Sequence, residues 1–268
     1  MSVFGLDAVT KIISKKCNLF YEDLKIKAII LAAGVGSRIR PLTDSCPKSL
    51  LKINGKTILE MMLSHIQACG INEVIFVLGY LQDQIKDYVN TQFPDLIVQF
   101  ITNAKYEVTN TGYSLMLTKD FVQNSSFVKF DADVVFDINI LKILIASEYE
   151  NCLCIDKNIN LDAEEVKVII KDGNRVIKAS KTVNPKEAIG ESIGIEKISG
   201  ESASILFDEL EFMMKNEQYH QEYYEAAYER LIEKDVPFHA LDISGLKWTE
   251  IDTQEDFMLA ENIFAQSV

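Results

Sequence analysis

The 268-residue sequence holds only three histidines, and its five cysteines show no Cys-x-x-Cys spacing. That set argues against a zinc cluster. The odd cysteine count points to a reduced, cytoplasmic protein, and Cys152 and Cys154, alternating in one apolar run, read as core filling. Positive charge is scarce as well: 27 Lys and Arg stand against 40 Asp and Glu, a formal net charge of −13. Such a chain is no general partner for nucleic acid or an anionic membrane, although a local basic cluster can still take a nucleotide. No apolar stretch approaches the roughly 20 residues that span a bilayer. Asp7 and Lys11 interrupt the N-terminal apolar residues, so no signal-peptide layout is expected. Repeats, low-complexity tracts and linkers are absent too. The length and the 48% hydrophobic content suit one large α/β domain with a small elaboration.

Two common phosphate-binding strings are also missing. There is no Gly-x-x-x-x-Gly-Lys-Ser/Thr, and the one Gly-x-Gly that follows an apolar run, Gly34-Val35-Gly36, has Ile39 where a dinucleotide fingerprint needs glycine. What is present is a buried-strand signal, Ala28 to Leu31, that stops at Ala32-Ala33-Gly34-Val35-Gly36. Gly34 and Gly36 carry no Cβ, so backbone can approach a ligand closely, and successive free N–H groups there form an anion-binding concavity. Arg38, Arg40 and Lys48 add full positive charges. The stretch is suited to a polyphosphate.

The rest of the chain alternates strands and helices. Val3, Leu6, Val9, Ile12 and Ile13 recur at helical spacing, which makes residues 1–25 a helical extension before a main domain at 26–268. Thr57 with Glu60 forms a capping-box signal for a helix whose buried face includes His65. Strands are expected at 73–78 and 96–101 and helices at 81–93 and 110–122, a pattern of βαβ units and a parallel sheet. Ser114 near the start of the last of these helices is either a cap or a nucleotide contact. Asp131-Ala132-Asp133 closes the apolar strand 127–130; two carboxylates at the ligand edge of a sheet are costly unless they bind something, and a metal is favoured. Lys171-Asp172-Gly173-Asn174 marks an inserted β-hairpin. Residues 201–234 read as a long helical region whose aromatic stripe is core or a subunit contact, which leaves a homo-oligomer open. Near the C-terminus Thr253 caps a last helix with Asp256 three residues on, and Glu250 and Asp252 share one face of the preceding strand.

Leu31, Ala32, Ala33, Gly34, Gly36, Arg38, Pro41, Thr43, Pro47 and Lys48 fit L-A-A-G-x-G-x-R-x-x-P-x-T-x-x-x-P-K. This resembles the signature of the nucleotidyltransferases that make sugar nucleotides, and of their cytidylyl relatives. The resemblance implies a Rossmann-like, mostly parallel sheet flanked by helices, the nucleotide-diphospho-sugar transferase fold. It implies transfer of a nucleoside monophosphate from a triphosphate to a phosphorylated or phosphonylated small molecule, with Mg²⁺ as cofactor and pyrophosphate released. On this reading Arg38 and Lys48 are catalytic, and Leu31, Ala32, Ala33, Gly34, Gly36 and Ser114 line the nucleotide. Asp133 and Asp252 hold Mg²⁺; Lys181 and Glu191 face the acceptor. Ser180 and Thr182 replace the Glu and Pro that flank the corresponding lysine in sugar-nucleotide enzymes. The Asp-Ala-Asp element and the Ile251-Asp252-Thr253 ending resemble phosphocholine- and aminoethylphosphonate-type cytidylyltransferases, so CTP is favoured. Aligned instead with the sugar-nucleotide pattern, the second metal ligand would be Glu250. The alternatives are a sugar-1-phosphate uridylyl-, guanylyl- or thymidylyltransferase, or a non-catalytic nucleotide-binding subunit.

Overall fold

Ile26–Ala32 forms β1, and the complete burial of Ala28, Ile29 and Ile30 shows that both faces of this strand are covered. The structure, a computed structural model, describes residues 26–265 apart from Gln123, Ile159, Asn160, Asp162 and Ala163, so the expected N-terminal helix lies outside the described residues. The order continues with the hairpin β2 (Lys52–Ile53) and β3 (Lys56–Thr57), α1 (Ile58–Ala68), β4 (Glu73–Leu78), α2 (Gln82–Gln92) and β5 (Ile97–Thr102). Then come α3 (Thr111–Met116), α4 (Lys119–Val122), β6 (Ser126–Asp131), β7 (Val134–Phe136), α5 (Ile138–Ala146) and β8 (Cys152–Asp156). The remainder is β9 (Lys167–Lys171), β10 (Arg175–Ser180), β11 (Gly190–Ile198), α6 (Gly200–Met214), α7 (Tyr224–Glu233), β12 (His239–Asp242), β13 (Trp248–Glu250) and α8 (Gln254–Ile263).

The α/β, Rossmann-like architecture is as expected. A nine-stranded sheet runs β5-β4-β1-β6-β11-β8-β12-β10-β9. Its first four strands are parallel. Beyond them β11 runs antiparallel to both β6 and β8, and the β9–β10 hairpin adds antiparallel edges, so the parallel character is confined to β5-β4-β1-β6 and to the β8–β12 pair. Alternate residues of β1 feed two cores. Ala28 and Ile30 face α1, α2 and α5, while Ile29 and Leu31 face α3, α4, α6 and α7. Cys152 and Cys154 are buried thiols in the first core. Among the described residues no helix is long and apolar enough to cross a membrane.

Two expected helices break for local reasons. The 110–122 helix divides because Thr118 Oγ1 donates to the Leu115 carbonyl, a side-chain bond that competes with the helical ladder. The 201–234 region divides at Asn216, which caps a 3₁₀ turn between α6 and α7. Most of its stripe, including Phe207, Met213, Tyr224 and Tyr228, is core. His65 packs edge-on against Phe136. Thr57 accepts from the Glu60 amide, but the Glu60 carboxylate accepts from Tyr88 Oη instead of closing the capping box. Thr253 and Asp256 do form a complete box at α8.

Candidate active site

The loop after β1 owes its shape to Gly36, whose φ of 65° is in the left-handed region. A Cβ there would also lie 3.1 Å from Thr43 Cγ2, and Thr43 Oγ1 donates to the Gly36 carbonyl at 2.7 Å. At Gly34, by contrast, a Cβ would meet nothing within 4 Å, so the space beside it is open. Ile39, the residue that breaks the dinucleotide fingerprint, is buried in a third core with Val135 and Ile251. Tyr80 Oη donates to the Thr43 and Asp44 carbonyls and fixes the loop from β4's side. The carbonyl of Ala33 accepts from the Tyr80 amide. A Cβ on Gly79 would sit 2.6 Å from that oxygen and 2.7 Å from Tyr106.

The acidic half of the site comes from a two-stranded ribbon. β13 pairs antiparallel with β7, Glu250 opposite Val134, and the Ile251 amide donates to the Asp133 carbonyl at 3.0 Å. This brings the C-terminal acids alongside the turn after β6. Asp256 Oδ2, the capping carboxylate of α8, accepts from the backbone amides of Asp252 and Thr253 and so orients that turn.

Loop and ribbon meet at Lys48. Its Nζ lies 2.8 Å from Asp133 Oδ2 and 2.6 Å from Asp252 Oδ1, with the side chain 13% exposed. Burial alone would lower this ammonium's pKa, but the two carboxylates outweigh it and hold it above the usual lysine value. Arg38 Nη2 donates to Asp252 Oδ2 at 2.6 Å, and its Nη1 lies 3.4 Å from Glu164 Oε2. Asp133, Glu250 and Asp252 each offer one carboxylate oxygen within 4.8 Å of the others. Asp133 Oδ1 is buried and accepts no hydrogen bond. Desolvation, with the Asp133 and Asp252 charges, raises the Glu250 carboxyl well above the usual range. An oxygen-only set with an orphaned acceptor fits a hard divalent cation.

Of the residues expected from sequence, Arg38, Lys48, Asp133 and Asp252 thus join one contact network, and Glu250 joins the acids. Ser114 is buried, and its Oγ accepts from Asn103 Nδ2 at 3.1 Å. Lys181 Nζ lies 4.8 Å from the centre of the Tyr223 ring, and Glu191 is a buried residue of β11 opposite Asp156.

Sequence reasoning missed a second charged group. Lys129, fully buried on β6, lies 2.8 Å from both Asp131 Oδ2 and Glu196 Oε2 and 3.6 Å from the Tyr224 ring centre. Tyr224 Oη donates to Asp131 Oδ2 at 2.7 Å. Burial, against the opposing pull of Lys129, raises Glu196 to about 8 and Glu225 to about 7. The signal in the sequence was a lysine inside the apolar run Phe127 to Phe130, with Glu196 in another.

Residues 27–166 match the family described as nucleotidyl transferase. Over 253 residues, 86% of this chain and 97% of the relative, the sequence is 32% identical to CTP:phosphoglutamine cytidylyltransferase of Campylobacter jejuni subsp. jejuni serotype O:2. The chain belongs to the nucleotidyl transferase family. It is also 41% identical over 108 residues, 40% of this chain and 44% of the relative, to choline-phosphate cytidylyltransferase of Streptococcus pneumoniae. The solved structure of CTP:phosphocholine cytidylyltransferase from Streptococcus pneumoniae superposes with a TM-score of 0.76 at 26% identity, covering 89% of this chain and 98% of that one. This nucleotidyltransferase is therefore an enzyme of the expected fold, with cytidylyltransferases of phosphorylated compounds among its homologues.

Proposed function

We propose that the nucleotidyltransferase moves CMP from CTP to a small phosphorylated or phosphonylated acceptor and releases pyrophosphate. We place the reaction in the cytoplasm, in the synthesis of a surface polysaccharide or lipid head group. The observation that carries this reading is the convergence of Arg38 and Lys48, from the phosphate loop, on Asp133 and Asp252. An acceptor phosphate or phosphonate oxygen, already ionised, attacks the α-phosphorus of CTP. The bond from that phosphorus to the bridging oxygen breaks, and pyrophosphate leaves. No general base is required, so the protein's part is positioning and charge stabilisation.

Leu31, Ala32, Ala33 and Gly34 line the nucleoside, and the amides around Gly34 and Gly36 face the phosphates. Arg38 holds the departing pyrophosphate; Lys48 opposes charge developing at the α-phosphate. Asp133 and Asp252, with Glu250 beside them, would hold Mg²⁺, which polarises the phosphate oxygens when bound. Lys181 and Glu191 are assigned to the acceptor side. Ser114, bonded to Asn103, shapes the helix start beside the nucleotide.

Pyrophosphate release from CTP, UTP, GTP and dTTP against choline phosphate, aminoalkylphosphonates and sugar 1-phosphates tests the reading. Turnover of CTP with a non-sugar acceptor is expected. Preference for another triphosphate with a sugar 1-phosphate would move the enzyme to the sugar-nucleotide branch. Nucleotide binding without turnover on any pair would overturn the catalytic reading.

A further inference from the structure

Three oxygens of the acidic group are held by the protein's own cations. Lys48 Nζ takes Asp133 Oδ2 and Asp252 Oδ1, and Arg38 Nη2 takes Asp252 Oδ2. An ammonium 2.8 and 2.6 Å from two carboxylates takes up one oxygen of each, the position from which a divalent cation would draw on those same two oxygens. The two cannot occupy that position together. Both cations also belong to the phosphate loop, and under the nucleotidyl-transfer reading, on which this inference rests, both have a second partner in the triphosphate.

We propose that Lys48 is a built-in competitor for the metal. The ammonium and a divalent cation are alternative occupants of the Asp133–Asp252 pair. A triphosphate that draws Lys48 and Arg38 onto its phosphates opens the pair to the metal. Metal and nucleotide then bind cooperatively through a protein switch, in addition to any direct contact between them. Couplings of this kind typically amount to ~5- to 150-fold in affinity. Arg38 plays the lesser part, because within the acidic group it engages only one oxygen, Asp252 Oδ2, and its side chain is half exposed.

The test uses the full chain with Mn²⁺ as probe and no nucleotide, reading free Mn²⁺ by electron paramagnetic resonance. Lys48→Met should bind Mn²⁺ at least ~10-fold tighter than the wild type, and Arg38→Met should gain less. Unchanged or weaker binding by Lys48→Met, or an equal or larger gain in Arg38→Met, overturns the proposal. A wild-type measurement guards against misfolding of the variant. Acylation of Lys48, followed by mass spectrometry with the exposed Lys52 as internal reference, should accelerate when Mn²⁺ saturates the protein. A rate that stays constant or falls overturns the proposal as well. Neither measurement needs CTP, acceptor or turnover, so failure here is distinct from failure of the pyrophosphate screen.

Discussion

Lys48 and Lys129 each sit between two carboxylates, and one partner of each, Asp133 and Asp131, comes from the end of β6 and the turn after it. Lys48 bridges Asp133 and Asp252; Lys129 bridges Asp131 and Glu196. Distances are alike, 2.6–2.8 Å. The surroundings differ. Lys48 projects from a loop, 13% exposed, and its partners are 24% and 22% exposed. Lys129 is part of a central strand, fully buried beneath Tyr224 with Glu196 at 1%, and only Asp131, at 23%, reaches water. An ion pair that water can reach is able to exchange partners; one sealed in the core is not, and losing either member strands a buried charge. Chemistry that needs a mobile cation therefore belongs to the first group, and rigid support of the β6 end belongs to the second.

The largest expected effect tests the rigid side. Lys129→Met should destabilise the fold by ~3–5 kcal/mol, read as a shift in denaturant midpoint. Replacing Asp131 and Glu196 together with Asn and Gln in the same variant should recover much of that loss. A single variant as stable as wild type would erase the distinction between the two lysines. On the mobile side, Lys48→Ala should cost ~10²- to 10³-fold in kcat/KM, as for other groups aimed at transition-state charge. Its circular dichroism should stay native. If the activity falls only because the chain unfolds, Lys48 is structural like Lys129. Within the acidic group, Asp252→Asn should impair Mg²⁺ activation more than Glu250→Gln, for which a ~10- to 100-fold loss is expected. Asp252 has two cationic partners in this structure, and Glu250 keeps an exposed surface. The reverse order would make Glu250 the second ligand.

The smallest effect is a slope with pH. Glu225 has a folded-state value near 7, above the ordinary carboxylate value of ~4.3, so the folded state binds more protons between these limits. Its contribution to stability is complete below about pH 4 and is lost as pH rises toward and through 7. Glu225→Gln should flatten the wild-type decline in stability between pH 5 and 8; an unchanged slope would show that Glu225 titrates normally.

The mobile group was legible in the sequence and the rigid one was not, for a physical reason. A phosphate loop must place Gly36, Arg38 and Lys48 on one short piece of backbone, so its requirements appear as fixed local spacing. Asp133 and Asp252 were legible as acids at strand ends. The Lys129–Glu196 pair depends on β11 lying antiparallel against β6 with these two residues opposite one another. That register, like the break in parallel order at β11, is decided by tertiary pairing. Ser114 was open in the sequence because a cap and a ligand contact use the same residue types; in the structure Asn110 is the cap, and Ser114 Oγ accepts from Asn103 Nδ2.

The β7–β13 ribbon has a consequence for when the molecule becomes competent. Lys48 and Asp252 are separated by 204 positions, so the junction of phosphate loop and acidic cluster is a product of one of the longest closures among the described residues. The phosphate loop precedes its acidic partners in the chain, and the acidic cluster is complete only once the segment beyond Trp248 has paired with Val134 to Phe136. Any fragment ending before that segment keeps the Arg38 and Lys48 charges without Glu250 or Asp252. Assembly of the site thus waits on the β7–β13 pairing, whatever else has already folded.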